Sequence, residues 1–286
     1  MNVLDVQDLV KSYKSNMALN GVSLRIEEGF VTGIVGPNGA GKTTLIKCIL
    51  NLAHADSGQI QVFGLDHRRE LEVRSRIGFV HESSYMFDQL NARETGTIAR
   101  AAYDKWDAKT YAGYLDRFEL PERAKIKTYS KGMTMRLSLA VALSHDAELI
   151  LMDEPSSGLD PLIRRELLEV IGEELAKEHR TFLISTHITS DLDRIADHVV
   201  ILDQGQIRLA VTRDELSDQY GLCRGGKELL AADTNGSFIG VQLNEFGFTA
   251  LTPDREKIAR RYGDQVVIER PTVEDLMVHT LKEDQS

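Results

Sequence analysis

The sequence predicts an α/β fold in which a largely parallel sheet carries a glycine-rich loop. Three observations predict it. The apolar run Phe30-Val31-Thr32-Gly33-Ile34-Val35 reads as a buried strand; Gly36-Pro37-Asn38-Gly39-Ala40-Gly41-Lys42-Thr43 follows at once, and a helical pattern opens at Thr44. A second apolar strand, Glu148–Asp153, ends in the acidic pair Asp153-Glu154. A third, Thr181–Ser185, runs into Thr186-His187. Polar residues at the carboxyl ends of buried parallel strands are where open α/β sheets present a ligand site.

The loop fits G-x-x-x-x-G-K-[ST]. A strand, a tight glycine turn and a helix start leave unpaired backbone N–H groups at a helix N-terminus, and those groups attract phosphate. Gly36, Gly39 and Gly41 let the backbone wrap around oxygen atoms, with Pro37, Asn38, Ala40 and Thr44 completing the cradle. Lys42 is placed to reach the β- and γ-phosphates, and the Thr43 hydroxyl to sit on Mg²⁺. The expected core is therefore that of a P-loop NTPase, with a nucleoside triphosphate and Mg²⁺ as its ligands. Asp153 is the candidate for holding the Mg²⁺ water shell, and Glu154, directly after it, for the general base.

Taken in order, Val3–Val10 and Ala18–Ile26 read as strands preceding the loop strand, with Tyr13 between them. Gly58–Gly64 and Ile77–Val80 are further short strands. From Leu90 to Phe118 the pattern is helical, with Ile98, Ala101 and Ala102 as one stripe and Tyr111, Tyr114, Leu115 and Phe118 as another. Tyr103 and Trp106 fit core aromatics better than a partner-binding patch. Ser130–His145 is a strong helix, and Pro161 opens another at a position that tolerates proline. Val199–Leu202 and Gln206–Ala210 flank Asp203-Gln204-Gly205, a hairpin turn. Beyond Leu216 glycines punctuate short segments, read as a small α/β appendage: strand Phe238–Leu243, helix Pro253–Tyr262, strand Gln265–Ile268 and a helix from Thr272.

With 286 residues, 42% of them apolar and 27% charged, the chain suits one large α/β unit plus a smaller one. A net charge of −10 argues against nucleic acid as the main partner. Cys48 and Cys223 lack metal-ligand spacing and read as reduced thiols. Neither a secretion signal nor a bilayer-spanning run is expected, so work at a membrane requires another chain to hold this one there.

The motifs, in this order, resemble those of the ATP-binding subunit of an ATP-binding-cassette (ABC) transporter over about residues 1–215. Tyr129-Ser130-Lys131-Gly132-Met133 lies in the place of that family's Leu-Ser-Gly-Gly-Gln signature, Ser157-Gly158-Leu159-Asp160 matches its D-loop, and Ser185-Thr186-His187 its switch histidine. Tyr13 stands where the adenine-stacking aromatic belongs; on residue type alone it reads equally as a strand-end aromatic. The Ser-Lys-Gly-Met form is similar to a bacterial exporter-type subgroup, YtrB-like and lantibiotic- and bacitracin-resistance-like. Glu82 occupies the usual Q-loop glutamine position, adding a carboxylate near Mg²⁺ and the γ-phosphate that cannot donate a hydrogen bond.

The resemblance implies a cassette at 1–215 with an antiparallel β subdomain and a helical subdomain at about 83–145, and an accessory unit at 216–286. It implies a head-to-tail dimer, homo- or heteromeric, in which Ser130, Gly132 and Asp160 complete the partner's nucleotide site. Lys42 and His187 would stabilise developing charge and Glu154 would activate water. An integral membrane permease is the implied partner, docked near Glu82 at the cytoplasmic face of a bacterial membrane. The alternative is a non-transport or regulatory ATPase of the same family; one cassette, no heptad run and negative charge argue against the non-transport form.

Overall fold

The computed structural model describes residues 1–14, 16–68, 71–81, 86–177, 179–233 and 236–283. The chain begins with β1 (Asn2–Tyr13), β2 (Asn16–Glu27) and β3 (Val31–Val35), then the glycine loop and α1 (Lys42–Ile49). β4 (Ser57–Val62), β5 (Leu65–Asp66), α2 (Leu71–Ser75) and β6 (Ile77–His81) follow. A helical segment holds α3 (Ala92–Ala102), α4 (Ala108–Arg117) and α5 (Lys131–Leu143). Next come β7 (Leu149–Asp153), α6 (Pro161–Leu175), β8 (Thr181–Thr186), α7 (Thr189–Ile195), β9 (His198–Asp203) and β10 (Gln206–Thr212). The C-terminal part comprises α8 (Arg213–Asp218), β11 (Gly221–Gly225), α9 (Glu228–Ala232), β12 (Ile239–Leu243), β13 (Phe248–Thr252), α10 (Arg255–Tyr262), β14 (Val266–Glu269) and α11 (Val273–Glu283).

The central sheet runs β10-β9-β3-β8-β7-β6 and is parallel except for the β9–β10 hairpin. Every residue of β3, β7 and β8 is buried, which is why these strands read as continuous apolar runs. Their side chains alternate between two cores. Leu149, Leu151 and Leu183 meet Leu45, Ile46 and Ile49 of α1, and the same cluster reaches Leu4, Leu19 and Ile60 of the antiparallel sheet β2-β1-β4-β5. Ile150, Met152, Phe182 and Ile184 face the other way, onto Leu137 and Leu139 of α5 and Leu167 and Ile171 of α6. The helix behind the glycine loop is thus clamped between two sheets. The β9–β10 turn places Gln204 at φ 46° and Gly205 at φ 73°, the left-handed pair of a type I′ turn.

The helical segment departs from expectation in one respect. Tyr111, Tyr114, Leu115 and Phe118 are buried, and Trp106 packs on Tyr111 with ring centroids 4.9 Å apart. Ile98, Ala101 and Ala102, however, are exposed, and α3 buries Ala92, Gly96 and Ala99 instead. A Cβ on Gly96 would lie 2.6 Å from Tyr111 Cε1. Close approach to an aromatic ring chose this face, where bulk hydrophobicity would have chosen the other. The stretch is also two helices, the second capped by Asp107, whose side chain accepts from Lys109 and Thr110 N–H.

The C-terminal unit is built on the antiparallel sheet β12-β13-β11-β14, of which β11 and β13 were not expected. Cys223, Phe238, Phe248, Ile258 and Tyr262 form its own core. Two helices tie it to the rest: α8 spans the expected junction at 215/216, and α11 packs back onto the central sheet. Val273 and Leu276 of α11 share one apolar cluster with Val35, Leu192, Val199 and Ile201. Among the described residues no helix is long and apolar enough to cross a membrane.

Candidate active site

Strand register builds the site. β6 and β7 pair His81 with Asp153, β7 and β8 pair Asp153 with Ser185, and β3 and β8 pair Val35 with Thr186. The carboxyl ends of four strands therefore finish in one row, and the glycine loop springs from it. Gly41 caps α1 at φ 111° with no side-chain cap, and a Cβ there would lie 2.5 Å from the Ala18 carbonyl oxygen. At Gly36 a Cβ would come within 2.0 Å of the Leu202 carbonyl oxygen. Both positions need glycine for space. The first turn of α1 holds no acidic residue, so its unpaired N–H groups form an anion-attracting end.

Lys42, only 6% exposed, curls back over the loop and donates from Nζ to the Gly36 carbonyl at 2.7 Å and the Pro37 carbonyl at 3.1 Å. The same ammonium lies 3.6 Å from Glu154 Oε1. Glu154 adopts φ 52°, the left-handed region, and its Oε2 accepts from the His187 backbone N–H at 3.2 Å and contacts His187 Nδ1 at 2.7 Å. Lysine, glutamate and histidine thus form one run of polar contacts along the cleft. Thr43 donates from Oγ1 to Asp153 Oδ1 at 3.2 Å, and Ser185 donates to the same oxygen. Thr43 and Asp153 are hard oxygen donors side by side, a pair that suits Mg²⁺, which is usually shared between one or two carboxylates and substrate phosphates.

Lys42, Thr43, Glu154 and His187 line a cleft of about 470 Å³, within the range of small-molecule sites, whose wall also includes Asn38, Gly39, Ala40, Gly41 and Thr44, while Asp153 and Ser185 lie buried behind Thr43. Tyr13 lies at the end of β1, 46% exposed, and lines the cleft as well, with Lys11 Nζ 5.2 Å from its ring centroid. Asn16 and Ala18 join the lining without having been singled out by any motif, and Ser157 of the D-loop match borders it too.

Ser130, Gly132 and Asp160 lie outside this cleft. Ser130 caps α5, its hydroxyl accepting from Met133 N–H at 3.2 Å, and Asp160 caps α6 by accepting from Leu162 and Ile163 N–H. The two motifs pack on each other: a Cβ on Gly132 would lie 2.4 Å from Ile163 Cδ1, and one on Gly158 would lie 2.8 Å from Lys131 Nζ. Within one chain, then, phosphate loop and signature are separate surfaces. Glu82 lies outside the described residues.

A family model described as ABC transporter matches residues 19–157. The ABC transporter ATP-binding protein YtrB of Bacillus subtilis (strain 168) is 32% identical over 219 residues, covering 76% of this chain and 75% of that protein. This chain belongs to the ABC transporter family. The bacitracin transport ATP-binding protein BcrA of Bacillus licheniformis is 31% identical over 292 residues, covering 99% of this chain and 94% of that one, so its match extends through the C-terminal unit. Among solved structures, an ATP-binding subunit of an ABC transporter superposes with a TM-score of 0.68 at 31% identity, covering 75% of this chain and 91% of its own. The ABC ATPase family hydrolyses ATP, and the cleft holds the cation, hydroxyl, carboxylate and histidine that such chemistry uses, with a second carboxylate, Asp153, behind the hydroxyl.

Proposed function

We propose that this chain is the ATP-hydrolysing subunit of a bacterial exporter, working as a head-to-tail dimer on the cytoplasmic face of the membrane and driving a separate integral membrane permease. The dimer is of two identical copies or of this chain and a sister ATPase. One observation carries the reading: Lys42, Thr43, Glu154 and His187 converge on the cleft that Tyr13 borders, with Asp153 hydrogen-bonded behind Thr43, while Ser130 and Gly132 are not part of its lining. Such a division fits a second subunit, because the helix end at Ser130 suits an anion yet does not line the cleft of its own chain. The transport role is supported by relatives whose names speak of bacitracin or lantibiotic transport.

In this reading Tyr13 stacks on adenine, and residues 36–44 wrap the phosphates with backbone N–H groups. Lys42 exchanges its carbonyl partners for phosphate oxygens. Thr43 and Asp153 would hold Mg²⁺, which would offset negative charge on the phosphates. Glu154 takes a proton from water, and His187, already against Glu154, holds that carboxylate in place and stabilises charge on the transferred phosphoryl group. The partner's Ser130 hydroxyl and the N–H groups near Gly132 close over the γ-phosphate, with Asp160 shaping that edge, and Glu82 adds negative charge on the permease side. Residues 1–215 form the cassette and 216–286 the accessory unit.

The test pairs phosphate release from ATP and Mg²⁺ with recovery in membrane fractions, with and without a co-expressed permease from a neighbouring reading frame. Turnover together with permease-dependent membrane recovery is the expected result. Turnover with no membrane recovery under either condition would favour the non-transport ATPase.

A further inference from the structure

We propose that His81 is a positioning residue for the carboxylate that holds the metal, orienting Asp153 through an Nε2–H group; this rests on the reading of the cleft as a site for ATP and Mg²⁺. No motif singles out His81. It comes to the site through register, since the β6–β7 ladder sets it directly beside Asp153 at the carboxyl edge of the sheet. Its Nε2 lies 3.3 Å from Asp153 Oδ2, and the side chains are 16% and 2% exposed.

The other carboxylate oxygen is already occupied. Thr43 and Ser185 both donate to Oδ1, so His81 faces the oxygen that neither hydroxyl serves. A carboxylate tied at one oxygen still has a soft, roughly two-fold torsion about its last bond. A donor on the second oxygen fixes the plane. With an ion bound, the Thr43 oxygen would offer it a lone pair while its O–H could still face Oδ1, so Thr43 alone would not fix the carboxylate plane. Ser185 on β8 and His81 on β6 sit one on each oxygen, each anchored to a strand that flanks β7. The Nε2–H tautomer is the one this role requires; a bare ring nitrogen there would turn a lone pair toward the carboxylate. Groups that steady a metal-ligating carboxylate typically change metal affinity 10–100-fold when removed. The competing reading is that His81 only packs, with Phe79 as its ring neighbour at 5.9 Å.

The experiment uses the full chain with His81→Ala and His81→Gln, each checked for fold by circular dichroism. ATP binding is measured by calorimetry in EDTA, then with Mg²⁺ titrated in. The expected result is equal ATP affinity in EDTA for all three proteins. His81→Ala should need about 10-fold more Mg²⁺ for half-maximal effect, and His81→Gln, whose amide can present an N–H to Oδ2, should recover most of the difference. An Ala variant with the parent's Mg²⁺ midpoint would reduce His81 to packing and overturn the proposal. So would an Ala variant whose loss appears equally in EDTA, or a Gln variant as impaired as Ala. A parent that binds no ATP under either condition would instead sink the reading of the cleft, and this inference with it.

Discussion

Replacing Glu154 by glutamine removes a proton acceptor while keeping its shape. In the structure its Oε2 is met by the His187 backbone N–H at 3.2 Å and His187 Nδ1 at 2.7 Å, and its Oε1 lies 3.6 Å from Lys42 Nζ. A glutamine carbonyl can keep the contacts to His187. The amide then turns toward Lys42, which loses its carboxylate neighbour but retains the Gly36 and Pro37 carbonyls until phosphate replaces them. Asp153 and Thr43 are untouched, so nucleotide binding should survive. Loss of a general base typically costs about 10²–10⁴-fold in rate, which is about 3–5 kcal/mol of barrier. The variant also places one negative charge fewer beside the triphosphate, so ATP affinity should hold or rise. Steady-state phosphate release and light scattering in ATP and Mg²⁺ are the assays, with a sister subunit present if one is found. The expectation is turnover near background and an accumulated ATP-bound dimer, whereas Lys42→Ala should fail to bind and stay monomeric. A Glu154→Gln protein turning over within a few-fold of the parent would refute the assignment of the base.

Three further expectations concern other parts of the molecule. Tyr13→Ala should weaken ATP and ADP alike by about 1–3 kcal/mol while Tyr13→Phe keeps the affinity; calorimetry on both decides, and an Ala variant with the parent's affinities would make Tyr13 a strand-end aromatic only. Leu276→Ala, at a fully buried position of α11, should cost about 2–5 kcal/mol and lower a single melting transition shared by cassette and accessory unit; two separate transitions would contradict the shared core. His145 is buried against the Tyr103 ring with centroids 3.9 Å apart, and burial holds its pKa below the ordinary value of 6.5. The unfolded chain therefore binds the proton first, so this contribution is full above about pH 6.5 and fades as pH falls from there through the folded-state pKa. Urea midpoints between neutral pH and mild acid should fall more steeply for the parent than for His145→Gln, and equal slopes would remove His145 from that dependence.

The parts of the fold legible in the sequence are those where one physical demand dominates. β3, β7 and β8 are buried on both faces, so nothing but apolar residues and their polar ends could stand there. The glycine loop is legible because backbone contact with Ala18 and Leu202 excludes any side chain at Gly41 and Gly36. α3 is the opposite case: its buried face is Ala92, Gly96 and Ala99, chosen by the fit to Tyr111, while the larger Ile98 points outward. β11 and β13 escape notice because Gly221 and Gly225 at the borders of β11, Gly247 before β13 and mixed polarity blur the alternation, and it is long-range pairing, as of Cys223 with Ala250 and Ile268, that defines them. The contact of His81 with Asp153 is a matter of strand register across 72 positions, to which no local pattern corresponds.

The apolar seam between α11 and the central sheet also bears on how the chain is made. β10 ends at Thr212, yet Val273 and Leu276, which cover Val199, Ile201 and the end of the phosphate-loop strand at Val35, are encoded much later. At ribosomal speeds of about 5–20 residues per second, the chain through β10 can assemble several seconds before its cover emerges. During that interval the nascent cassette presents an uncovered oily strip beside the very strand that carries its loop. A message cut short after β10 would therefore yield a protein with every nucleotide motif and a built-in site for chaperone capture.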